Sequence, residues 1–323
     1  YNEAIECYDD NIDLEDNHYE AYFNKGVSLE KLGKFNDAIE CFNKAISIND
    51  RNPSAYGNKG MSLAKLGNHI EAIKCYDKAL RRDSKNASFY NLRGVSLAEL
   101  GENDKAIEYY DTAIELDASQ VIFHSNKGAC LEKLERYEEA VKCYDIAIYL
   151  DPNNANFHNF KGLGLAKLGN NREAIQCFNK AISLDSKNTT FYLNKGACHE
   201  KCWEDEEAIE CYNEAISLGS KNVTFYLNKG GCFENLRKYE EAIQCYDEAI
   251  LLDPENAQFY MRKAICLGNL GKEKEAIDCF DEAIFAEPYN VEAYNEKANC
   301  FRKFLKFEKV IECCDEAILR KID

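Results

Sequence analysis

The sequence predicts an all-α protein, built as an array of 34-residue helix-turn-helix repeats. Three observations lead to this prediction: glycines recur at one fixed interval, aromatic and alanine columns keep that interval, and the apolar spacing within each unit is helical. Successive glycines of the series are 34 residues apart, and Ala264 and Ala298 continue the series. These glycines are Gly26, Gly60, Gly94, Gly128, Gly162, Gly196 and Gly230.

Further columns emerge when the recurring glycine is called repeat position 8, so that the first complete unit starts at Tyr19. Alanine fills position 27 from Ala45 to Ala317, and small residues also fill positions 8 and 20. Position 24 is aromatic until Cys314 breaks the column: Tyr8, Phe42, Tyr76, Tyr110, Tyr144, Phe178, Tyr212, Tyr246 and Phe280. Small residues let two helices approach closely, and the ring fills the space beside them.

Two amphipathic helices fit inside each unit. Tyr22, Gly26 and Leu29 are spaced as one stripe of a helix, and a second stripe runs from Ala38 to Ala45. Gly33 and Lys34 lie between these two helices, where the glycine supplies the turn. Since no unit buries its apolar face alone, we expect stability to come from stacking of neighbouring units.

This pattern covers nearly the whole chain and resembles the tetratricopeptide repeat (TPR) family. The resemblance implies antiparallel helix pairs that stack into a right-handed superhelical solenoid with a concave groove. We expect residues 1–18 to be the second helix of a partial repeat and residues 19–323 to be nine consecutive units in one continuous array. The units start at residues 19, 53, 87, 121, 155, 189, 223, 257 and 291. Because both ends would be uncapped second helices, we expect the array to belong to a larger chain or complex.

Composition narrows the range of functions. The formal net charge of −17 argues against nucleic acid as a partner, since phosphate contacts need clustered Lys and Arg. No apolar run approaches the roughly 18 residues of a spanning helix, so we expect no membrane insertion. Fourteen of the sixteen cysteines occupy repeat positions 10 and 23, which favours small packing residues in a reducing compartment. We therefore expect a cytoplasmic protein, with a ciliary or cytoskeletal location as the alternative.

Residues suited to catalysis or metal binding fall within the structural register. His124 and His158 replace the position-4 aromatic, which explains them without chemistry. Cys198 and Cys202 share a helix face at i and i+4, but His199 points about 100° away, which disfavours a zinc site. We predict no catalytic residue, no metal site and no cofactor, and therefore a protein that is not an enzyme.

The resemblance also implies which residues would line the groove: positions 2, 5, 6, 9, 12 and 13 of each first helix. Asparagines at position 6 would bind a peptide backbone through both donor and acceptor, or else make only local hydrogen bonds. They are Asn24, Asn58, Asn126, Asn194 and Asn228. Aliphatic residues at positions 5 and 9 would form an apolar floor: Val27, Met61, Val95, Leu163, Leu193 and Leu227.

Lysines follow one edge of the predicted groove at position 13: Lys31, Lys65, Lys133, Lys167 and Lys201. These lysines would steer an acidic ligand, or form an ordinary solvated face. A separate basic column at position 7 matches an Asp or Asn column at position 25. The two columns predict a structural ladder of ion pairs or hydrogen bonds between repeats.

The resulting functional prediction is a non-enzymatic scaffold that binds an extended or helical segment of a partner protein in the groove. One alternative is the substrate-recognition or adaptor part of a larger enzyme. Another is a structural spacer in a large assembly, such as a ciliary or cytoskeletal complex.

Overall fold

The computed structural model describes residues 1–14 and 18–322, and these residues form nineteen α-helices. In chain order the helices are α1 Asn2–Leu14, α2 Tyr19–Lys31, α3 Phe35–Ile48, α4 Pro53–Lys65, α5 His69–Leu80, α6 Ala87–Glu99, α7 Asn103–Leu116, α8 Val121–Lys133, α9 Tyr137–Leu150, α10 Ala155–Lys167, α11 Asn171–Leu184, α12 Thr189–Lys201, α13 Asp205–Ser217, α14 Val223–Asn235, α15 Tyr239–Leu252, α16 Ala257–Asn269, α17 Glu273–Ala286, α18 Val291–Lys303 and α19 Phe307–Ile322. The all-α prediction is confirmed, and the described helices follow the predicted 34-residue period.

Three residues separate the two helices of each repeat, and the middle one has a positive φ angle in all nine turns. Glycine occupies this position in five turns, as at Gly33 with φ 75°. The other turns place a residue with a side chain in the same left-handed conformation: Glu135, Trp203, Arg237 and Leu305, with φ between 57° and 62°. A β-carbon makes this conformation unfavourable, so these four turns carry local backbone strain.

Asparagine begins most first helices by capping their N-termini. Asn188, for example, accepts a hydrogen bond from the backbone N–H of Thr190 at 3.1 Å. Equivalent side-chain caps come from Asn52, Asn86, Asn154, Asn222, Asn256 and Asn290. Each cap satisfies a backbone donor that the first turn leaves unpaired.

The repeating core is an aromatic ring packed on a helical glycine. Tyr246 is fully buried, and a β-carbon added to Gly230 would lie 2.6 Å from its Cε1 atom. The same close approach joins Gly26 to Phe42 and Gly128 to Tyr144. The position-8 glycine is therefore required by packing, which outweighs its low helix propensity.

Two compact units divide the chain, Tyr1–Leu168 and Gly169–Asp323. In the first unit, α2, α4, α6 and α8 lie side by side in that order. In the second unit, α12 lies beside α14, and α16 lies beside α18. The single continuous array predicted from the sequence stays a prediction.

None of the described helices has the length and apolar character that crossing a bilayer requires.

Candidate functional site

The candidate site is the surface made by positions 2, 5, 6, 9, 12 and 13 of the first helices, here called the first-helix face. Side chains on this face reach the neighbouring repeat. Asn126 donates to Oδ1 of Asn91 at 2.9 Å, and the guanidinium of Arg262 lies 3.2 Å from the carboxylate of Glu234. Polar side chains of this face therefore connect α6 to α8 in the first unit and α14 to α16 in the second.

The position-6 asparagines differ in their surroundings. Asn24 is exposed, and Asn58, Asn126, Asn194 and Asn228 are half-buried. At least two of these asparagines donate a hydrogen bond to another side chain. Asn126 donates to Asn91, as described above, and Asn228 donates to the hydroxyl of Tyr212 at 3.5 Å. A carboxamide has two N–H donors and two acceptor lone pairs, so one intramolecular bond leaves further capacity for a ligand.

The predicted apolar floor is partly engaged in core packing. Val27 packs against the cluster around Phe42, and Val95 packs against the cluster around Tyr110. The remaining members, Met61, Leu163, Leu193 and Leu227, are likewise half-buried. These side chains therefore support the helices and present part of their apolar surface outward.

The position-13 lysines are all exposed: Lys31, Lys65, Lys133, Lys167 and Lys201. Each lies in the last turn of its helix. A cation there interacts favourably with the negative end of the helix dipole, which accounts for the lysines without any ligand.

Half-buried carboxylates at position 12 were not predicted from the sequence. Tyr212 donates a hydrogen bond to Glu200, and Tyr246 donates to Glu234 in the same way. Burial raises the pKa of Glu200, with the tyrosine hydrogen bond acting in the opposite direction. The sequence signal was weak, because glutamate at position 12 accompanies tyrosine at position 24 in some units and not in others.

Open pockets occur on the first-helix face of the second unit. One has a volume of about 160 Å³ and lies between α16 and α18, with Phe280 of α17 also lining it. A wider depression adjoins it and shares Ile265 and Glu296 with it. The pockets thus involve positions 6, 9 and 12 of the last two repeats. None of the site residues predicted from the sequence lies in these two repeats.

Residues with catalytic potential are held in structural roles. The Nδ1 atom of His199 lies 2.7 Å from a carboxylate oxygen of Glu204, beside the Cys198 and Cys202 positions considered for zinc. Burial raises the pKa of Cys198 to about 11, so its thiol is a poor nucleophile at neutral pH. Within residues 1–14 and 18–322, no group of three His, Cys, Asp or Glu side chains could hold a metal ion.

Six of the nine basic residues at position 7 form ion pairs of the predicted ladder, each where position 25 is an aspartate. Lys127 contacts Asp111 at 2.5 Å, Lys161 contacts Asp145 at 2.6 Å, and the arginine of the series, Arg93, pairs with Asp77. Each pair joins a first helix to the second helix that precedes it in the chain. The structural interpretation of this column is confirmed for these six pairs.

Several family models match the chain, all of them described as Tetratricopeptide repeat. The matched residues are 19–52, 41–74, 58–121, 121–154, 155–188, 189–222, 223–256 and 257–290. No curated protein matches the sequence.

Solved structures share this fold at low sequence identity. The C-terminal part of a TPR repeat-containing protein from Cytophaga hutchinsonii is 18% identical, with a TM-score of 0.65 over 73% of this chain and 97% of that one. A tetratricopeptide repeat protein from Parabacteroides merdae is 19% identical, with a TM-score of 0.56 over 77% and 98%. MamA from Desulfovibrio magneticus is 20% identical, with a TM-score of 0.51 over 53% and 96%.

The family matches extend from residue 19 to residue 290, and the described helices repeat with the same period. The glycine–aromatic packing and the inter-repeat ion pairs give that period its physical basis. The chain therefore belongs to the tetratricopeptide repeat family.

Proposed function

We propose that this chain is a non-enzymatic scaffold that binds an extended or helical segment of a partner protein along the first-helix face. The observation that carries the proposal is the pair of adjoining open pockets beside α16 and α18. They lie at the positions that the family resemblance assigns to ligand contacts. An apolar pocket with convergent polar groups is the usual form of a recognition site.

Asparagines on this face suit the recognition of a peptide backbone. Asn58, Asn126 and Asn194 stand on α4, α8 and α12, at equivalent places in their repeats. Each amide offers both a donor and an acceptor, so it pairs with peptide groups whatever the neighbouring side chain. The aliphatic residues beside them supply contacts for the side chains of the ligand.

Binding, and not catalysis, also fits the chemistry of the described residues. The buried thiols are weak nucleophiles, as at Cys245, where burial raises the pKa to about 11. As the substrate-recognition part of a larger enzyme, the chain would use the same first-helix face. A structural spacer would leave that face without a ligand.

We place the protein in a reducing compartment, with the cytoplasm as the proposed location. Its sixteen cysteines are free, and most of them are buried among helices. Cysteine serves here as a small hydrophobic residue, which reducing conditions preserve. The net charge of −17 favours a protein partner over nucleic acid.

The test exchanges the asparagines of the face for alanine: Asn24, Asn58, Asn126, Asn194 and Asn228. The matched control exchanges five exposed asparagines that lie outside this face and outside the position-25 column: Asn2, Asn36, Asn68, Asn153 and Asn170. Partners captured from lysate would be cross-linked to the protein, and the linked residues located by mass spectrometry.

We expect cross-links on the first helices, and at least a tenfold loss of capture in the first variant alone. Circular dichroism should show the same helix content in all three proteins. Equal capture by both variants, or cross-links confined to the second helices, would contradict binding through this face.

A further inference from the structure

The 160 Å³ pocket lies where three residues that contact one another in the preceding repeat are replaced. Between α14 and α16, Glu234 accepts a hydrogen bond from Tyr246 and pairs with Arg262. One repeat later, the equivalent residues are Gly268, Phe280 and Glu296. The glycine removes a side chain from the floor, and the phenylalanine removes the hydroxyl that would hold a carboxylate there.

The floor of the pocket is apolar. Ala264, Ile265 and Gly268 contribute from α16, Phe280 from α17 and Cys300 from α18. A cavity of about 150 Å³ with apolar walls accommodates a benzene-sized group. This pocket therefore suits one branched or aromatic side chain, and it is smaller than the sites that enclose whole small-molecule ligands.

Charge at the two ends of the pocket differs. The ammonium of Lys303 donates to the carbonyl oxygen of Gly268 at 2.8 Å and contacts Oδ1 of Asn269 at 2.9 Å, so that its charge compensates the end of α16. Glu296 lines the pocket and also the adjoining depression, where Glu287 and Glu292 add two carboxylates. Arg262, the one cation among the described residues that line the depression, pairs with Glu234. The outer side of the pocket therefore favours a cation.

We infer that this pocket is a specificity subsite for a peptide in which a bulky apolar residue is followed or preceded directly by arginine or lysine. The apolar side chain occupies the space above Gly268 and Phe280, and the basic side chain lies against Glu292 and Glu296. This inference rests on the proposed function, because the subsite belongs to the first-helix face.

The experiment uses a displayed library of random twelve-residue peptides, selected on the whole chain. The pocket-filled variant carries Gly268→Glu, Phe280→Tyr and Glu296→Arg, which copies the arrangement of Glu234, Tyr246 and Arg262. The matched control is Glu282→Arg, which makes the same charge change at an exposed residue of α17 that lines neither the pocket nor the adjoining depression. Circular dichroism and thermal unfolding would check that each variant is folded.

We expect the unaltered chain and Glu282→Arg to enrich peptides with the apolar–basic pair. The pocket-filled variant should lose that enrichment at least tenfold, the discrimination usual for one buried aliphatic side chain. A separate variant, Glu296→Lys, leaves the apolar floor intact. It should keep the apolar preference while exchanging the basic neighbour for an acidic one.

Selection of peptides with no preference for the pair, or a preference that survives pocket filling, would overturn the subsite and leave the wider face as a binding surface. A basic preference unchanged in Glu296→Lys would overturn the assigned role of that carboxylate. Failure of the unaltered chain to retain any peptide would overturn both the subsite and the proposed function.

Discussion

The ammonium of Lys263 lies 2.6 Å from Oδ1 of Asp247, and this contact joins α16 to the helix before it. The same sixteen-residue relationship links Lys297 to Asp281 at 2.5 Å. A basic residue thus reaches back to the preceding second helix at regular intervals, and its aliphatic stem covers apolar surface on the way. The ladder is part of how successive repeats are held in register.

Neutralising one such pair should have a small effect on stability. Asp247→Asn reproduces the asparagine that other repeats carry at position 25, and Lys263→Gln removes the opposite charge. Both side chains are partly exposed, so we expect a coupling energy of about 0.2–1 kcal/mol in a double-mutant cycle. Urea unfolding at low salt and at about 1 M salt would measure it, with a smaller coupling at high salt. A coupling of several kcal/mol would show that the pair is a principal source of stability.

Two adjacent glycines on α14 should respond oppositely to alanine. A β-carbon at Gly230 would lie 2.6 Å from the ring of Tyr246, whereas one at Gly231 would meet its nearest atom, of Arg262, at 3.9 Å. Gly230→Ala should destabilise the protein by about 1–3 kcal/mol through overpacking. Gly231→Ala should raise stability by up to about 1 kcal/mol through helix propensity. Thermal unfolding of the two variants would measure both changes.

The hydrogen bond from Tyr246 to Glu234 gives that prediction a second test. Because this bond holds the ring in place, removing the hydroxyl with Tyr246→Phe should let the ring shift. Combined with Gly230→Ala, it should recover part of the stability that Gly230→Ala alone loses. One repeat later, the chain itself carries this combination, with Ala264 at position 8 and Phe280 at position 24. No recovery in the double variant would mean that the surrounding core, and not the hydroxyl, holds the ring in place.

The turn at Trp203 offers a stabilising substitution. Trp203 has a φ of 62° and is 84% exposed, so its side chain adds little packing while its β-carbon makes the turn unfavourable. Trp203→Gly should raise stability by up to about 1 kcal/mol, because glycine adopts this conformation freely. The reverse change, Gly67→Ala at φ 79°, should lower stability by a similar amount. Midpoints of urea unfolding followed by circular dichroism would test both, and a loss of stability in Trp203→Gly would mean that the indole packs favourably.

The fold was predictable because its determinants recur. Gly230 and Tyr246 each belong to a column of the same residue type, so periodicity alone identified both as packing residues. The ladder was predictable for the same reason, since Lys263 and Asp247 belong to columns of opposite character. Repetition turns a weak local signal into a strong one.

The candidate site was less predictable because it depends on departures from the repeat. Gly268 replaces a half-buried carboxylate that other units carry, and the pocket lies where Phe280 and Glu296 also differ from the preceding repeat. These residues are 12 and 28 positions from Gly268, so their proximity follows from helix packing and not from local spacing. The asparagines at position 6 were identifiable as a column, but the bond between Asn126 and Asn91 depends on the neighbouring helix.

Glu200 should make stability depend on pH. Its carboxylate accepts a hydrogen bond from Tyr212 inside the helix pair, and burial raises its pKa above the ordinary glutamate value. The folded chain therefore binds this proton more tightly than the unfolded chain does. The stabilisation is fully present below the usual glutamate pKa of about 4.3, and it is lost as pH rises through the raised value.

Glu200→Gln keeps an acceptor for Tyr212 but never ionises. The variant should match the original protein near pH 4 and unfold at a higher temperature at pH 7. Glu210→Gln, an exposed position on α13, controls for the loss of one charge from an acidic protein. If the two variants show the same pH dependence of the unfolding temperature, burial of Glu200 does not govern the effect.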